Sequence, residues 1–142
     1  MECGVREFQD DVLKFYETID DCLADGAVDV VLCSSVLQYL EQPYAVLEQF
    51  VTCGSPYLLI DRTAFIDGKR DRLMVQHAHF DHYDICLPAW FFSREALVSR
   101  LEHAGYSVKI EFACDDMANI ESDFTGLLFQ RNGVGGNGVS SV

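Results

Sequence analysis

Residues 77–82 read HAHFDH, which places three histidines and an aspartate within six positions. Imidazole nitrogens and carboxylate oxygens at such spacing are the donor set of a zinc site. His77, His79 and His82 are therefore candidate metal ligands. A hydrolytic centre needs further ligands downstream, and only His103 follows. It sits near the end of the helical pattern REALVSRLEHAGY, where an imidazole meets terminal carbonyls and the helix dipole. The bland reading of HAHFDH, a solvated polar loop, outweighs both a small metal-dependent hydrolase and an adventitious zinc or nickel ion.

Two further groups of polar residues follow apolar runs. Ser34, Ser35, Gln38 and Tyr39 come after DVVLC, and Asp61, Arg62 and Thr63 come after PYLLI. The carboxyl ends of strands are where open α/β sheets bind ligands, so both groups are candidates to line a crevice. The competing reading makes the serines helix caps, exposes Gln38 and packs Tyr39. Arg62 is a candidate bidentate donor to a substrate carboxylate or phosphate, and a structural ion pair is an equal alternative. The aromatic triple Trp90-Phe91-Phe92 reads first as core, with Trp90 a candidate substrate contact. No serine nucleophile elbow, P-loop or CxxC pair is present.

The elements that must position these residues follow from periodicity. DVVLCSS reads as a buried strand, the segment after Pro43 as a helix ending near Gly54, and PYLLIDRT as a second buried strand. That is a strand-helix-strand unit long enough for a parallel crossover. Residues 64–89 read as polar and irregular. Ser93 is a good N-cap for a helix stopped by Gly105. YSVKIEFAC alternates like a strand, DDMANIESD reads as a loop and FTGLLFQRN as a last strand. The N-terminal segment is ambiguous. Val5, Phe8, Val12, Phe15, Ile19 and Cys22 form a helix stripe, yet VLKFYETI passes as a strand followed by the helix start DDCLAD.

Composition bounds the partners. The chain has 142 residues, 49% of them hydrophobic, which is a globular composition sufficient for one core. A net charge of −13 disfavours nucleic acid and anionic membranes. No signal peptide is read at the N-terminus, and no apolar run approaches a membrane span. The six cysteines are irregularly spaced, with Cys33 inside an apolar run, which fits a reduced, cytoplasmic protein.

The phrase VDVVLCSSVLQYLEQPYAVLEQF is similar to the fourth strand and following helix of class I S-adenosylmethionine-dependent methyltransferases, through Ser34, Val36, Leu37, Gln38, Tyr39, Leu40 and Pro43. More narrowly, SSVLQYLEQPY, PYLLIDRTAF, RLMVQ and LPAWFFS in order resemble a methyltransferase family associated with bacterial surface-polysaccharide gene clusters. The resemblance runs from about Val12 to Asn132. It implies S-adenosylmethionine as cofactor, with no metal required. It places Ser34, Ser35 and Gln38 beside the cofactor, and Asp20 and Asp21, after a third strand, near the adenine amine. His77, Asp61 and Tyr39 become candidate general bases, and Arg62 and Trp90 candidate substrate contacts. HAHFDH in turn resembles the metallo-β-lactamase signature. The methyltransferase pattern departs at the start: no Gly-rich strand-to-helix turn precedes DVVLCSS, since Gly4 is the only glycine before Gly26.

The expected fold is α/β: a truncated Rossmann-like, class I methyltransferase-like three-layer sandwich, its sheet mostly parallel with an antiparallel last strand. Residues 1–132 form one domain lacking the first two strands, and 133–142 a flexible Gly- and Ser-rich tail. The expected function is a partial methyltransferase-like domain, weakly active or inactive alone, whose ancestral reaction methylates a sugar. The alternatives are a non-catalytic binding or assembly module and the metal-dependent hydrolase. The family's strand order is 3-2-1-4-5-7-6, so DVVLCSS, as strand 4, becomes an unpaired edge. Either VLKFYETI pairs with it, or two chains join across it as a homodimer about a twofold axis.

Overall fold

The computed structural model describes residues 2–80, 83–118 and 120–133, apart from the side chains of residues 78–80 and 83. His82, the His79 side chain and the expected tail beyond residue 133 lie outside what is described.

The middle of the chain folds as its periodicity predicts. Strand β1 spans Val30–Ser34, a 3-10 turn spans Leu37–Tyr39, and helix α3 spans Pro43–Thr52. Pro43 starts that helix, where its missing N–H costs nothing, and Gly54 ends it at φ 71°. Strand β2, Tyr57–Ile66, then pairs parallel with β1, from Val30↔Tyr57 to Ser34↔Asp61.

The stretch read as irregular is instead a long antiparallel hairpin, β3 (Arg72–Phe80) and β4 (Tyr83–Ser93). Its apolar alternation is blurred because Leu73 and Val75 point to solvent while Ala89 and Phe91 are buried. HAHFDH therefore begins on a strand, which corrects the loop reading for its described part. Asp71 anchors the hairpin base, accepting from the Ser93 N–H at 2.7 Å and the Tyr44 hydroxyl at 2.7 Å. Ser93 caps helix α4, Arg94–His103, by accepting from the Ala96 N–H. Strands β5 (Tyr106–Ala113) and β6 (Asp123–Arg131) complete the sheet.

The N-terminal segment forms two short helices, α1 (Glu2–Phe8) and α2 (Ile19–Asp25), and residues 9–18 belong to no strand. The strand reading of VLKFYETI is corrected, and with it the idea that this segment pairs with β1. Val12 is 93% exposed, so no burial drives an extended conformation there. Thr18 and Asp21 form a reciprocal capping box that starts α2.

Among the described residues β1 pairs only with β2. The order on that side is β1-β2-β6-β5, the 4-5-7-6 arrangement that the resemblance implies, with β6 antiparallel to both neighbours. The far half of β2 pairs with β4 through Phe65↔Phe92 and Ile66↔Ser93. The sheet is mixed. Only the β1–β2 and β2–β4 pairings are parallel, so the expectation of a mostly parallel sheet is corrected. The hairpin hidden in residues 64–89 is one reason for the difference.

The main core lies on one face. Cys33, Leu58, Ile60, Leu127 and Phe129 from the strands meet Leu47 of α3 and Leu97 and Leu101 of α4. On the other face a smaller core of Ala64, Ile66, Ala89, Phe91 and Phe124 is covered by Cys114, Ala118 and Ile120 from the β5–β6 connection. The rest of that face, over β1, the first half of β2, β6 and β5, has no helix seated on it among the described residues. Its Val30, Leu32, Ile110 and Phe112 are exposed. The three-layer expectation is corrected to two layers there.

Candidate functional site

Strand β1 ends beside the middle of β2, which runs on past Asp61, Arg62 and Thr63 to Ile66, so the expectation that these residues close the second strand is corrected; both places are strained. Ser35 has φ 53° and Arg62 has φ 50°, the only non-glycine residues in the left-handed region among those described. Such a conformation costs an ordinary L-residue about 1–2 kcal/mol and persists where its surroundings over-determine it. Here the Ser35 N–H donates to the Asp61 carbonyl at 3.0 Å, extending the ladder past the end of β1. The strand β2 bulges at this point, its register against β6 shifting between Ile60 and Thr63.

Gln38 locks the two turns together. Its side-chain amide donates to the Arg62 carbonyl at 3.1 Å and lies 3.5 Å from the Ser35 hydroxyl. Gln38 is 2% exposed, and its Oε1 is buried without a hydrogen-bond partner. The expectation of an exposed Gln38 in the competing reading is thereby overturned. A buried carbonyl-type oxygen left unpaired is costly, so only the donor side of the Gln38 amide holds it in place.

Asp61 stands at the centre of the group. Its carboxylate accepts from the Ser34 hydroxyl at 2.9 Å and from the Cys114 thiol at 3.6 Å. Burial pushes the Cys114 thiol upward, and the Asp61 carboxylate adds to this, so the thiol remains protonated at neutral pH. Arg62 is committed to a bidentate pair with Asp116, with N···O distances of 2.9 and 2.6 Å. That carboxylate holds the guanidinium firmly protonated. A substrate anion would have to displace Asp116 to take this bidentate edge of Arg62.

The structure thus brings Ser34, Ser35, Gln38, Asp61 and Arg62 together where β1 ends against the β2 bulge. Tyr39 adjoins them in the 3-10 turn and donates to Gln76 Oε1 at 3.1 Å, linking the turn to β3. Trp90 donates its indole N–H to the Leu40 carbonyl at 3.1 Å and packs on the main core. His77 lies on β3 opposite Cys86, with Nδ1 and Sγ 3.1 Å apart. No three of His, Cys, Asp or Glu converge on a metal position among the described residues, but His82 and the His79 side chain lie outside them. His103 turns back onto the Ser99 carbonyl at 2.6 Å, as its place at a helix end predicts.

Asp20 and Asp21 lie elsewhere. They open α2, follow no strand, and Asp21 is engaged in the cap with Thr18. Asp20 lines a 620 Å³ cavity between α2 and α3, together with Glu17, Glu48 and Thr52. None of the strand-end group borders that cavity. Asp116, Gln76 and Cys114 are the partners that sequence reasoning missed. Asp116 and Cys114 are set by the path of the β5–β6 connection and Gln76 by the unread hairpin, so spacing along the chain carries no signal for them.

No helix among the described residues is long and apolar enough to cross a membrane. No family model matches the chain, and no curated protein does. Among solved structures, the glycopeptide N-methyltransferase MtfA complexed with (S)-adenosyl-L-methionine is similar over 77% of this chain and 56% of that one, at TM-score 0.47 and 12% identity. A further crystal structure of MtfA is similar over 72% of this chain and 56% of its own, at TM-score 0.40 and 11% identity. The chain therefore spans just over half the length of the solved structures it resembles.

Proposed function

We propose that this chain is a methyltransferase-like domain that meets S-adenosylmethionine where β1 ends against the β2 bulge, with a sugar hydroxyl as the ancestral methyl acceptor. The observation that carries the reading is the pair of left-handed residues, Ser35 just past the end of β1 and Arg62 at the β2 bulge beside it, clamped by the buried Gln38. Backbone strain held beside the carboxyl end of β1 supports a ligand site there.

The residues present fit one side of such a cofactor. The Asp61 carboxylate is an acceptor for its amine or hydroxyl donors. No glycine-rich turn is among these residues to bring backbone N–H groups against it. When bound, S-adenosylmethionine supplies an electrophilic methyl group. The chain's own part is positioning: Ser34 orients Asp61, and Asp61 accepts the proton of an acceptor hydroxyl held in line. Tyr39 and His77 are the alternative bases. The 142 residues by themselves are expected to bind weakly and to be weakly active or inactive.

Isothermal titration with S-adenosylmethionine and S-adenosylhomocysteine tests this. The expected Kd is weaker than about 100 µM, or roughly −5.5 kcal/mol. A Kd near 1 µM, about −8 kcal/mol, would show that the crevice suffices without a glycine-rich turn. No heat at several millimolar would favour the second reading, a non-catalytic assembly module. The uncovered apolar sheet face is the observation that supports that reading.

A further inference from the structure

We propose that Cys86 and His77 form a thiol–imidazole pair on the hairpin, through which the chain takes up a small cationic disulfide as a mixed disulfide. The inference does not depend on the methyltransferase reading. It starts from register. His77 and Cys86 are directly opposed in the β3–β4 ladder, so their side chains leave the same face of the hairpin. Sγ and Nδ1 lie 3.1 Å apart, within the reach expected of a nucleophile and its base.

Access follows from the alternation of the two strands. Val75, His77, Asp84, Cys86 and Pro88 are exposed, and Met74, Gln76, Ile85 and Leu87 between them are half-buried. The thiol and the imidazole therefore stand on the outward face, open to a small molecule. Of the six cysteines only Cys3 and Cys86 are exposed. Cys86 has an imidazole against its sulfur, and Cys3, far along the chain in α1, is an internal reference.

The step balances. With the imidazole proton on Nε2, Nδ1 accepts the thiol proton as Sγ attacks one sulfur of the disulfide. The new bond to Sγ forms, the S–S bond breaks, and the proton passes from His77 to the departing thiolate. Cys86 is oxidised, the disulfide is reduced, and one small thiol leaves. The hairpin holds no second cysteine to resolve the product: Cys22, Cys33, Cys53 and Cys114 belong to α2, β1, the end of α3 and the β5–β6 connection. The mixed disulfide therefore persists until an outside thiol attacks it.

Charge selects the ligand. Asp84 lies two residues from Cys86 on the same exposed face, and the whole chain carries −13. An anionic disulfide is repelled by this surface, and one bearing ammonium groups is drawn to it. On the other side of the pair, Val75 and Pro88 face each other and offer an apolar flank to its carbon chain.

Timed peptide mass spectrometry of the reduced full chain with cystamine, a dicationic disulfide, tests the proposal. Cys86 should form its mixed disulfide before Cys3 does. His77→Gln keeps a hydrogen-bond acceptor and removes the base. It should slow Cys86 about tenfold, less than a base supplies in a closed enzyme site because both side chains stand in water, and leave the Cys3 rate unchanged. Dithiodiglycolate, a dianion, should react more slowly than cystamine at Cys86, and Asp84→Asn should narrow that gap. Cys86 lagging behind Cys3, or reacting at an unchanged rate in His77→Gln, would overturn the proposal. So would a dianion that matches cystamine at Cys86.

Discussion

The two faces of the β1–β2–β6–β5 sheet carry comparable apolar side chains and differ in what lies on them. One face holds Cys33, Ile60, Leu127 and Phe129 under α3 and α4. The other holds Leu32, Leu59 and Leu128, each one residue along its strand from a covered neighbour, with Ile110 of β5 beside them, and no helix lies there among the described residues. On β1, β2 and β6 strand alternation makes the two sets similarly apolar by sequence, so there the crossovers decide which is covered. Both crossovers in this chain, β1-α3-β2 and β4-α4-β5, place their helix on the same side.

The largest expected effect separates the faces directly. Leu127→Ala and Phe129→Ala, on the covered face, should each cost about 3–5 kcal/mol by urea unfolding, since both side chains are fully buried. Leu32→Ala should change stability by less than about 0.5 kcal/mol at concentrations where the chain is monomeric. Comparable losses from both would show that the open face is covered within one chain.

The strand ends give the next effect. Gln38→Ala removes the amide that ties the Arg62 carbonyl to the Ser35 turn, and should cost about 1–3 kcal/mol. Ser35→Gly, which relieves a left-handed φ, should be neutral or stabilising while it loosens the crevice. A destabilising Ser35→Gly would mean that the turn is held by the serine side chain and not by its surroundings.

The smallest effect is electrostatic. The bond from Arg94 lowers the Glu111 carboxyl from its ordinary value, and Lys14 followed by Tyr16 does the same for Asp25. Each folded value lies below the unfolded one, so this stabilisation is present above the unfolded value. It is lost as pH falls through the folded value. The groups are exposed, so the contribution is small and screened by salt. Arg94→Gln should flatten part of the fall in Tm between about pH 4.5 and pH 3, and 0.5 M salt should shrink the difference. An unchanged slope at low salt would remove the Arg94–Glu111 pair from the account.

What could be read from the sequence follows from where burial is one-sided or complete. DVVLC, PYLLI and FTGLLF announce strands because their apolar residues are continuous, and REALVSRLEHAGY announces a capped helix because Ser93 and Gly105 bracket it. The β3–β4 hairpin was not readable. RLMVQHAHF exposes Leu73 and Val75 as well as its polar residues, so the strand period dissolves. The membership of the strand-end group, Ser34, Ser35, Gln38, Asp61 and Arg62, was readable from position alone. Its strain was not, because neither Ser35 nor Arg62 is a residue type that favours positive φ. The Arg62–Asp116 pair joins residues that only the fold brings together. Asp20 and Asp21 were misplaced because a capping box was mistaken for the end of a strand.

The central proposal is that ligand chemistry belongs to the place where β1 ends against the β2 bulge. Heteronuclear NMR of the labelled chain, titrated with millimolar S-adenosylhomocysteine, tests it residue by residue. The account predicts shifts concentrated at Ser34, Ser35, Asp61, Arg62 and the Gln38 side-chain amide, reduced in Gln38→Ala. Shifts confined to the β3–β4 hairpin or to the α2–α3 cavity, or none at saturating solubility, would contradict it.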